Sequence, residues 1–230
     1  MQEEDFKEGK ILLIDKPLTW TSFNAVNKIK WAIKKKFKLK KIKVGHAGTL
    51  DPLASGLLII CTGKFTKRIP ELQGQIKEYT GTITLGATTP SYDMETEVNQ
   101  TFSIDHITKD LIKETTNQFI GEIDQYPPVF SALKKDGKRL YEFAREGKEV
   151  EINSRKITID TFEITSIEMP KVSFRVVCSK GTYIRSLAND FGKALESGGY
   201  LSELRRTKIG DYNVSDAISP EEFVNQLHTL

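Results

Sequence analysis

Cysteine and histidine are scarce in this chain. Its 230 residues hold 2 cysteines and 3 histidines. Cys61 and Cys178 lie far apart, each in an apolar run, without the paired spacing of a zinc site or a disulfide framework. They read as small buried hydrophobes of a reducing compartment. His46, His106 and His228 are scattered, so no metal is expected. Long apolar runs are missing too, and nothing approaches the roughly 18 residues of a membrane span. The segment "MQEEDFKEGK" is polar and acidic and lacks the apolar centre of a signal peptide. The expected location is the cytoplasm, with no membrane partner. Neither GxxxxGK[ST] nor a GxGxxG after a strand occurs, so no nucleotide-type cofactor is expected.

What is present is an ordinary globular composition, 38% hydrophobic and 28% charged, with a formal net charge of only +3. The length suits one large domain or two small ones. The charge distribution says more than the total. Lys28, Lys30, Lys34, Lys35, Lys36, Lys38, Lys40, Lys41 and Lys43 follow one another with no acid between them. Such a block is either a solvated face or a surface for phosphates.

The periodicities predict mixed elements. "KILLIDKP" reads as a buried strand ended by Pro17. A helix follows, capped by Thr21 or Ser22, with Phe23, Val26, Ile29, Ile33 and Phe37 at helical spacing. "GLLIICTG" and "KEYTGTITLG" read as strands, and 108–120 as a helix ended by Gly121. Pro127-Pro128 opens a basic, aromatic excursion with a turn at Asp136-Gly137 and a short helix over 140–145. Two alternating strands turn near Pro170. A helix bearing Ile184, Leu187, Ala188, Phe191 and Leu195 on one face stops at Gly198-Gly199. A last helix opens with Ser219, Pro220 and Glu222, a capping-box signature. Without regular βαβ alternation, this is an α+β fold on a largely antiparallel sheet.

Three places could carry chemistry. In "VGHAGTLDPLASGLL", Asp51 stands on a glycine-rich turn before an apolar strand, a setting that suits a nucleophile or general base as well as a plain Asp-Pro turn. In "CSKGTYIRSLA", Tyr183 and Arg185 fall in the first turn of a helix, where an arginine can clamp a carboxylate or phosphate. Tyr79 lies in an alternating strand. A paired-carboxylate hydrolase would need a partner for Asp51. Asp15 and Asp93 are possible, but spacing alone cannot pair them, and Asp93 reads more readily as part of a polar loop.

"DKPLTWTS", "KVGHAGTLDPLASGLLIICTGKFTK", "KEYTGTITLG", "QYPPVFSALKKDGKRLYEFAREG", "CSKGTYIRSLANDFG" and "YLSELRRTKIGDY" occur in this order from about Gly9 onward. In this the chain resembles the TruB family of tRNA pseudouridine synthases. The resemblance implies the pseudouridine synthase fold, with a central mixed, mainly antiparallel sheet flanked by helices. It implies one catalytic domain over 1–230 with a thumb-like insertion at about 124–152. The chain extends only about twenty residues past "RRTKIGDY", so no C-terminal PUA-type RNA-binding domain is expected.

The implied reaction converts the T-loop uridine at tRNA position 55 to pseudouridine. The glycosidic bond breaks, the uracil turns, and its C5 bonds to the sugar. No cofactor is needed, the partner is the T arm of tRNA, and a monomer is expected. By the same resemblance Asp51 is the catalytic carboxylate. Tyr79, Tyr183, Arg185 and Leu204 line the base pocket, with Arg185 pairing with Asp51. His46 fills the place of the flipped base, and Lys16 and Pro17 support the loop. Lys34, Lys35, Lys36, Lys38, Lys134, Lys135 and Arg139, with Lys138 and Arg145, grip the RNA backbone. A non-catalytic tRNA-binding protein on the same fold is the alternative, which would leave Asp51 without a purpose beside RNA phosphates.

Overall fold

The computed structural model describes residues 2–131, 133–135, 137–146 and 150–229. Asp136 of the expected turn lies outside the described residues, as do the side chains of Lys134, Lys135, Arg139 and Arg145. In chain order the elements begin with α1 (Glu3–Glu8), β1 (Ile11–Lys16), α2 (Ser22–Lys36), β2 (Val44–His46), β3 (Ala54–Thr62), α3 (Ile69–Gly74) and β4 (Lys77–Leu85). Next come β5 (Ala87–Thr88), β6 (Gln100–Thr101), α4 (Lys109–Thr115), β7 (Gly121–Gln125), β8 (Lys134–Lys135), β9 (Lys138–Arg139) and α5 (Leu140–Arg145). The chain continues through β10 (Arg155–Glu168), β11 (Lys171–Cys178), α6 (Ile184–Ala194), β12 (Gly199–Ile209), β13 (Tyr212–Asn213) and α7 (Pro220–Thr229). This is an α+β chain whose strands pair mostly antiparallel, with β12 parallel to β3. It divides into two compact units, Met1–Tyr79 with Leu204–Leu230, and Thr80–Glu203.

In the first unit β3 is the central strand. It pairs antiparallel with β1, with Leu13 opposite Ile59, and parallel with the second half of β12, with Leu204 opposite Ala54. Its apolar run serves both faces. Leu58 and Ile60 join Ile14, Val26, Ile29, Ile33, Phe223 and Leu227 in a core under α2 and α7. Leu57, Ile59 and Cys61 join Ala47, Leu72 and Ile209 on the other side. A strand buried on both faces reads as a continuous apolar run rather than an alternation. Each such Leu or Ile contributes about 1.5–3 kcal/mol by leaving water.

Helix α2 begins with a reciprocal cap. The Asn24 amide donates to Thr21 Oγ1 at 3.0 Å, and the Thr21 amide donates to Asn24 Oδ1 at 2.9 Å. The buried stripe is Ser22, Ala25, Val26, Ile29, Ala32 and Ile33, and Phe23 is 68% exposed. Ser22 takes the inward place of the first turn, which leaves Phe23 on the flank, against the expectation of an apolar face through Phe23. At the other end Lys38 adopts φ 51°, and the Leu39 amide donates to the Lys34 carbonyl at 3.0 Å. That is a left-handed helix stop of the kind usually given to glycine.

The second unit orders β4, β11, β10 and β7 side by side, with β10 antiparallel to both β11 and β7. Phe119, Phe162, Phe174 and Phe191 meet edge to face beneath the expected stripe of α6, all with centroids 5.2–6.1 Å apart. Two boundaries differ from the sequence reading. The helix predicted over 108–120 ends at Thr115 and tightens into a 3-10 turn over Thr116–Phe119. There the Thr116 hydroxyl donates to the Lys113 carbonyl at 2.7 Å and competes with the helical pattern. Helix α6 ends at Ala194, with Glu196 at φ 51°, before Gly198-Gly199. Those glycines instead permit close packing, since a Cβ on Gly192 would stand 2.3 Å from the Gly199 nitrogen.

Gly56 has φ +106°, and a Cβ there would meet the Arg206 carbonyl oxygen at 2.3 Å. Gly74 has nothing within 4 Å. Urea denaturation of Gly56→Ala should therefore show a loss of more than about 2 kcal/mol, against less than about 0.5 kcal/mol for Gly74→Ala.

Candidate functional site

The loop between β2 and β3 carries Gly48 and Asp51 just after His46, and polar groups of the first unit hold it at Leu50, Pro52 and Gly48. Ser22, at the start of α2, accepts from the Leu50 amide at 2.8 Å and donates to the Leu50 carbonyl at 3.1 Å through its hydroxyl. The Thr19 amide donates to the Pro52 carbonyl at 2.8 Å, which ties the 17–20 turn to the Asp51-Pro52 turn. Arg206 reaches from β12 to donate to the Gly48 carbonyl at 3.0 Å and the Leu57 carbonyl at 2.8 Å. Its side chain is fully enclosed, at 1% exposure.

Lys16 is the second enclosed cation, with no exposure at all. It ends β1 and donates to the Pro17 carbonyl at 2.9 Å and the Trp20 carbonyl at 2.6 Å, so it shapes the turn that holds Pro52. Burial lowers its pKa from 10.5 to about 8. Asp51 and Asp15 draw it up, and Arg206 pushes it down. Asp51 and Lys16 are thus electrostatic neighbours, as support of the loop by the DKP segment requires. Asp15 is otherwise engaged in a bidentate pair with Arg205, at 3.0 and 2.6 Å. That removes it as the second carboxylate of a hydrolase.

His46 ends β2 opposite Ile60 and is half-buried. Burial first, and the Arg206 charge second, lower its pKa, against a backbone contact with Gly48. Its Nδ1 is enclosed and meets no hydrogen-bond partner among the described residues. The ring is therefore held toward its neutral form. Leu204, half-buried on β12, stands in register with Ala54 just past the Asp51 turn. Tyr79 is buried near the start of β4.

Tyr183 and Arg185 belong to the second unit. Tyr183 is the cap residue of α6, anchored by reciprocal bonds with the Gln125 side chain at 2.8 and 3.1 Å. The Arg155 guanidinium lies over its ring at 5.8 Å. Arg185 is buried and donates to the carbonyls of Ser91 at 3.2 Å and Phe130 at 3.0 Å, and its Nε stands 3.5 Å from Asp93 Oδ2. Asp93 itself is 5% exposed and accepts from the Glu95 amide at 2.9 Å. The sequence reading placed Asp93 in a polar loop, and nothing local in "TTPSYDMETE" marks it as the carboxylate beside a buried arginine. Arg206 was missed as well. Its partners, the Leu57 and Gly48 carbonyls, lie 149 and 158 residues away in the chain, so nothing local marks it.

Of the expected RNA-backbone lysines, Lys34, Lys35 and Lys36 form the last turn of α2 and Lys38 its stop. They lie about 20 Å along the helix from Ser22 and the Leu50 segment it holds. Among the described residues no group of three or more metal-ligating side chains occurs. No helix among them is long and apolar enough to cross a membrane.

Residues 34–184 match the family model described as TruB family pseudouridylate synthase (N terminal domain), and 185–229 match the tRNA pseudouridylate synthase B C-terminal domain. The curated tRNA pseudouridine synthase B of Flavobacterium johnsoniae is 66% identical over 228 residues, 99% of this chain and 100% of that protein. Its counterpart from Phocaeicola vulgatus is 56% identical over 219 residues, 95% of this chain and 93% of that protein. Among solved structures, a chain of a Cbf5-Nop10-Gar1 complex superposes with a TM-score of 0.71 at 31% identity, covering 97% of this chain and 55% of that one. A chain of an H/ACA RNP bound to a substrate RNA containing 2′-deoxyuridine gives 0.68 at 29%, covering 96% and 53%. The chain spans about half the length of those solved chains.

The depressed Lys16 pKa has a signed consequence. Between pH of about 8 and 10.5 the unfolded chain holds a proton that the folded chain has lost, so this group's contribution to stability rises with pH across that window. Below it both states are protonated, and the cost of burying the charge is undiminished. Unfolding free energies of the natural chain from urea titrations, taken relative to Lys16→Met, should rise across the window by on the order of 2 kcal/mol. A flat or falling difference refutes the assignment.

Proposed function

The chain belongs to the TruB family of pseudouridylate synthases, and on that premise we propose that it isomerises the T-loop uridine at tRNA position 55, with Asp51 as the catalytic carboxylate. The observation that carries the reading is the Asp51 turn, fixed by Ser22, Lys16 and Arg206 and set in a cationic field. Preorganised charge of this kind does its work without rearranging during the reaction.

The chemistry is balanced within one nucleoside. The C1′–N1 bond breaks, the uracil turns, C1′ bonds to C5, and the hydrogen on C5 leaves as a proton. Nothing is oxidised and no group is donated, so the reaction asks for no cofactor. A folded loop hides its base, so the uridine has to be turned out and its place filled. A neutral His46 ring suits that task, since an uncharged ring stacks among bases without disturbing their charge balance. Tyr79 and Leu204 would bound the extruded base. The roles of Tyr183 and Arg185 in the same reaction, and the pairing of Arg185 with Asp51, rest on the family resemblance. So do the monomeric state and the cytoplasmic location.

The test uses a tRNA transcript with tritium at uridine C5. One equivalent of tritium per tRNA should leave from the T-loop position. Asp51→Asn should lower the rate by about three orders of magnitude or more while still binding tRNA. Unchanged release in Asp51→Asn would remove Asp51 from the chemistry, and tRNA binding by the natural chain without release would remove the reaction. The lysine-rich surface adds a second expectation. The logarithm of tRNA affinity should fall linearly with the logarithm of salt concentration, with a slope of about −3 or steeper.

A further inference from the structure

A groove of about 560 Å³ lies between the last two turns of α2 and helix α7, one helix length from the Asp51 loop. Lys28, Lys34, Lys35 and Lys38 surround it, Trp31 forms part of its wall, and Leu39 and Val224 line the rest together with His228. No acid lines it. Two features bear on its use. Trp31 is 67% exposed, and its contact is Lys34 Nζ at 5.2 Å from the ring centroid, so the helix keeps a large indole in water. Lys38 occupies φ 51°, where glycine would stop the helix without strain. A side chain kept at a strained position points to a use for that side chain.

We propose that this groove is a second RNA site, which takes an unpaired segment of the RNA with one base stacked on Trp31 and its flanking phosphates on Lys28, Lys35 and Lys38. Positive charge alone would suit any polyanion. An exposed aromatic ring among the lysines is the signature of single-stranded nucleic acid, because every base offers a π-face to stack on. The spacing fits. Lys28, Trp31 and Lys35 follow at intervals of three and four, so the helix presents them along one face, and Lys38 at the helix stop lines the same groove. The proposal rests on the reading of tRNA as substrate and extends the contact beyond the reacting loop.

The decisive experiment is a fluorescence titration of the full chain with labelled hexauridylate at several salt concentrations, with tRNA binding measured in parallel. Trp31→Ala should weaken hexauridylate binding about tenfold and leave the salt slope as it was, because a stack carries no counterions. Lys38→Gly should weaken it too, but should reduce the salt slope by about 0.7. The same variant should melt at or above the temperature of the natural chain, because glycine relieves the left-handed strain. A merely structural Lys38 would not separate affinity from stability in this way. Unchanged affinity in both variants overturns the site. Equal competition by polyglutamate at matched charge, or equal binding to phosphatidylserine vesicles, overturns RNA as its occupant. Failure of the natural chain to form pseudouridine would count against the reaction and leave this titration standing, so the two readings fail separately.

Discussion

One buried guanidinium sets the geometry of the first unit. Arg206 is enclosed, yet among the described residues it makes no ion pair within hydrogen-bond reach; its donors go to the backbone carbonyls of Gly48 and Leu57. A charge in that position is costly unless its donors are satisfied. The backbone around it is correspondingly fixed. Gly48 must offer its carbonyl inward, Gly56 must leave room for the Arg206 main chain, and the residues between them form the turn that ends in Asp51. The strand that brings Arg206 is also the one that sets Leu204 opposite Ala54. The Asp51 loop and Leu204 are therefore placed by a single register.

That choice of anchor shapes the electrostatics. Arg206 pushes protons off both His46 and Lys16, and burial pushes in the same direction. Asp51 acts against this on Lys16. The result is a loop underlain by permanent positive charge, with the histidine ring held toward its neutral form.

The parts of this architecture that were legible in the sequence are those fixed by local chemistry. The α2 cap at Thr21, the short helix over 140–145 and the Ser219–Glu222 capping box follow from side chains within four residues of one another, and the structure has all three. The β3 run was legible because burial on both faces leaves no polar position. What escaped was set by distant partners. The inward place of Ser22 is decided by Leu50, so the stripe through Phe23 was misread. Asp93 and Arg206 look like loop and strand polar residues until the fold closes around them. The β12 strand was not predicted as such, because its alternation is broken by the two arginines, of which one is buried and the other pairs with Asp15. The family motifs pointed to Asp51 and His46 without giving the reason they are held.

The first unit is discontinuous, and the second is a single stretch from Thr80 to Glu203. During synthesis the second can therefore condense while the ribosome is still at work, since domains form as their chain emerges. The first cannot. Asp51 is made early, but the guanidinium that shapes its turn and the helix that closes the α2 core come only after the whole of the second unit. A nascent chain thus carries Asp51 before the arginine that holds its turn has been made. The Asp51 turn gains its anchor only with β12, and the core under α2 closes only with α7.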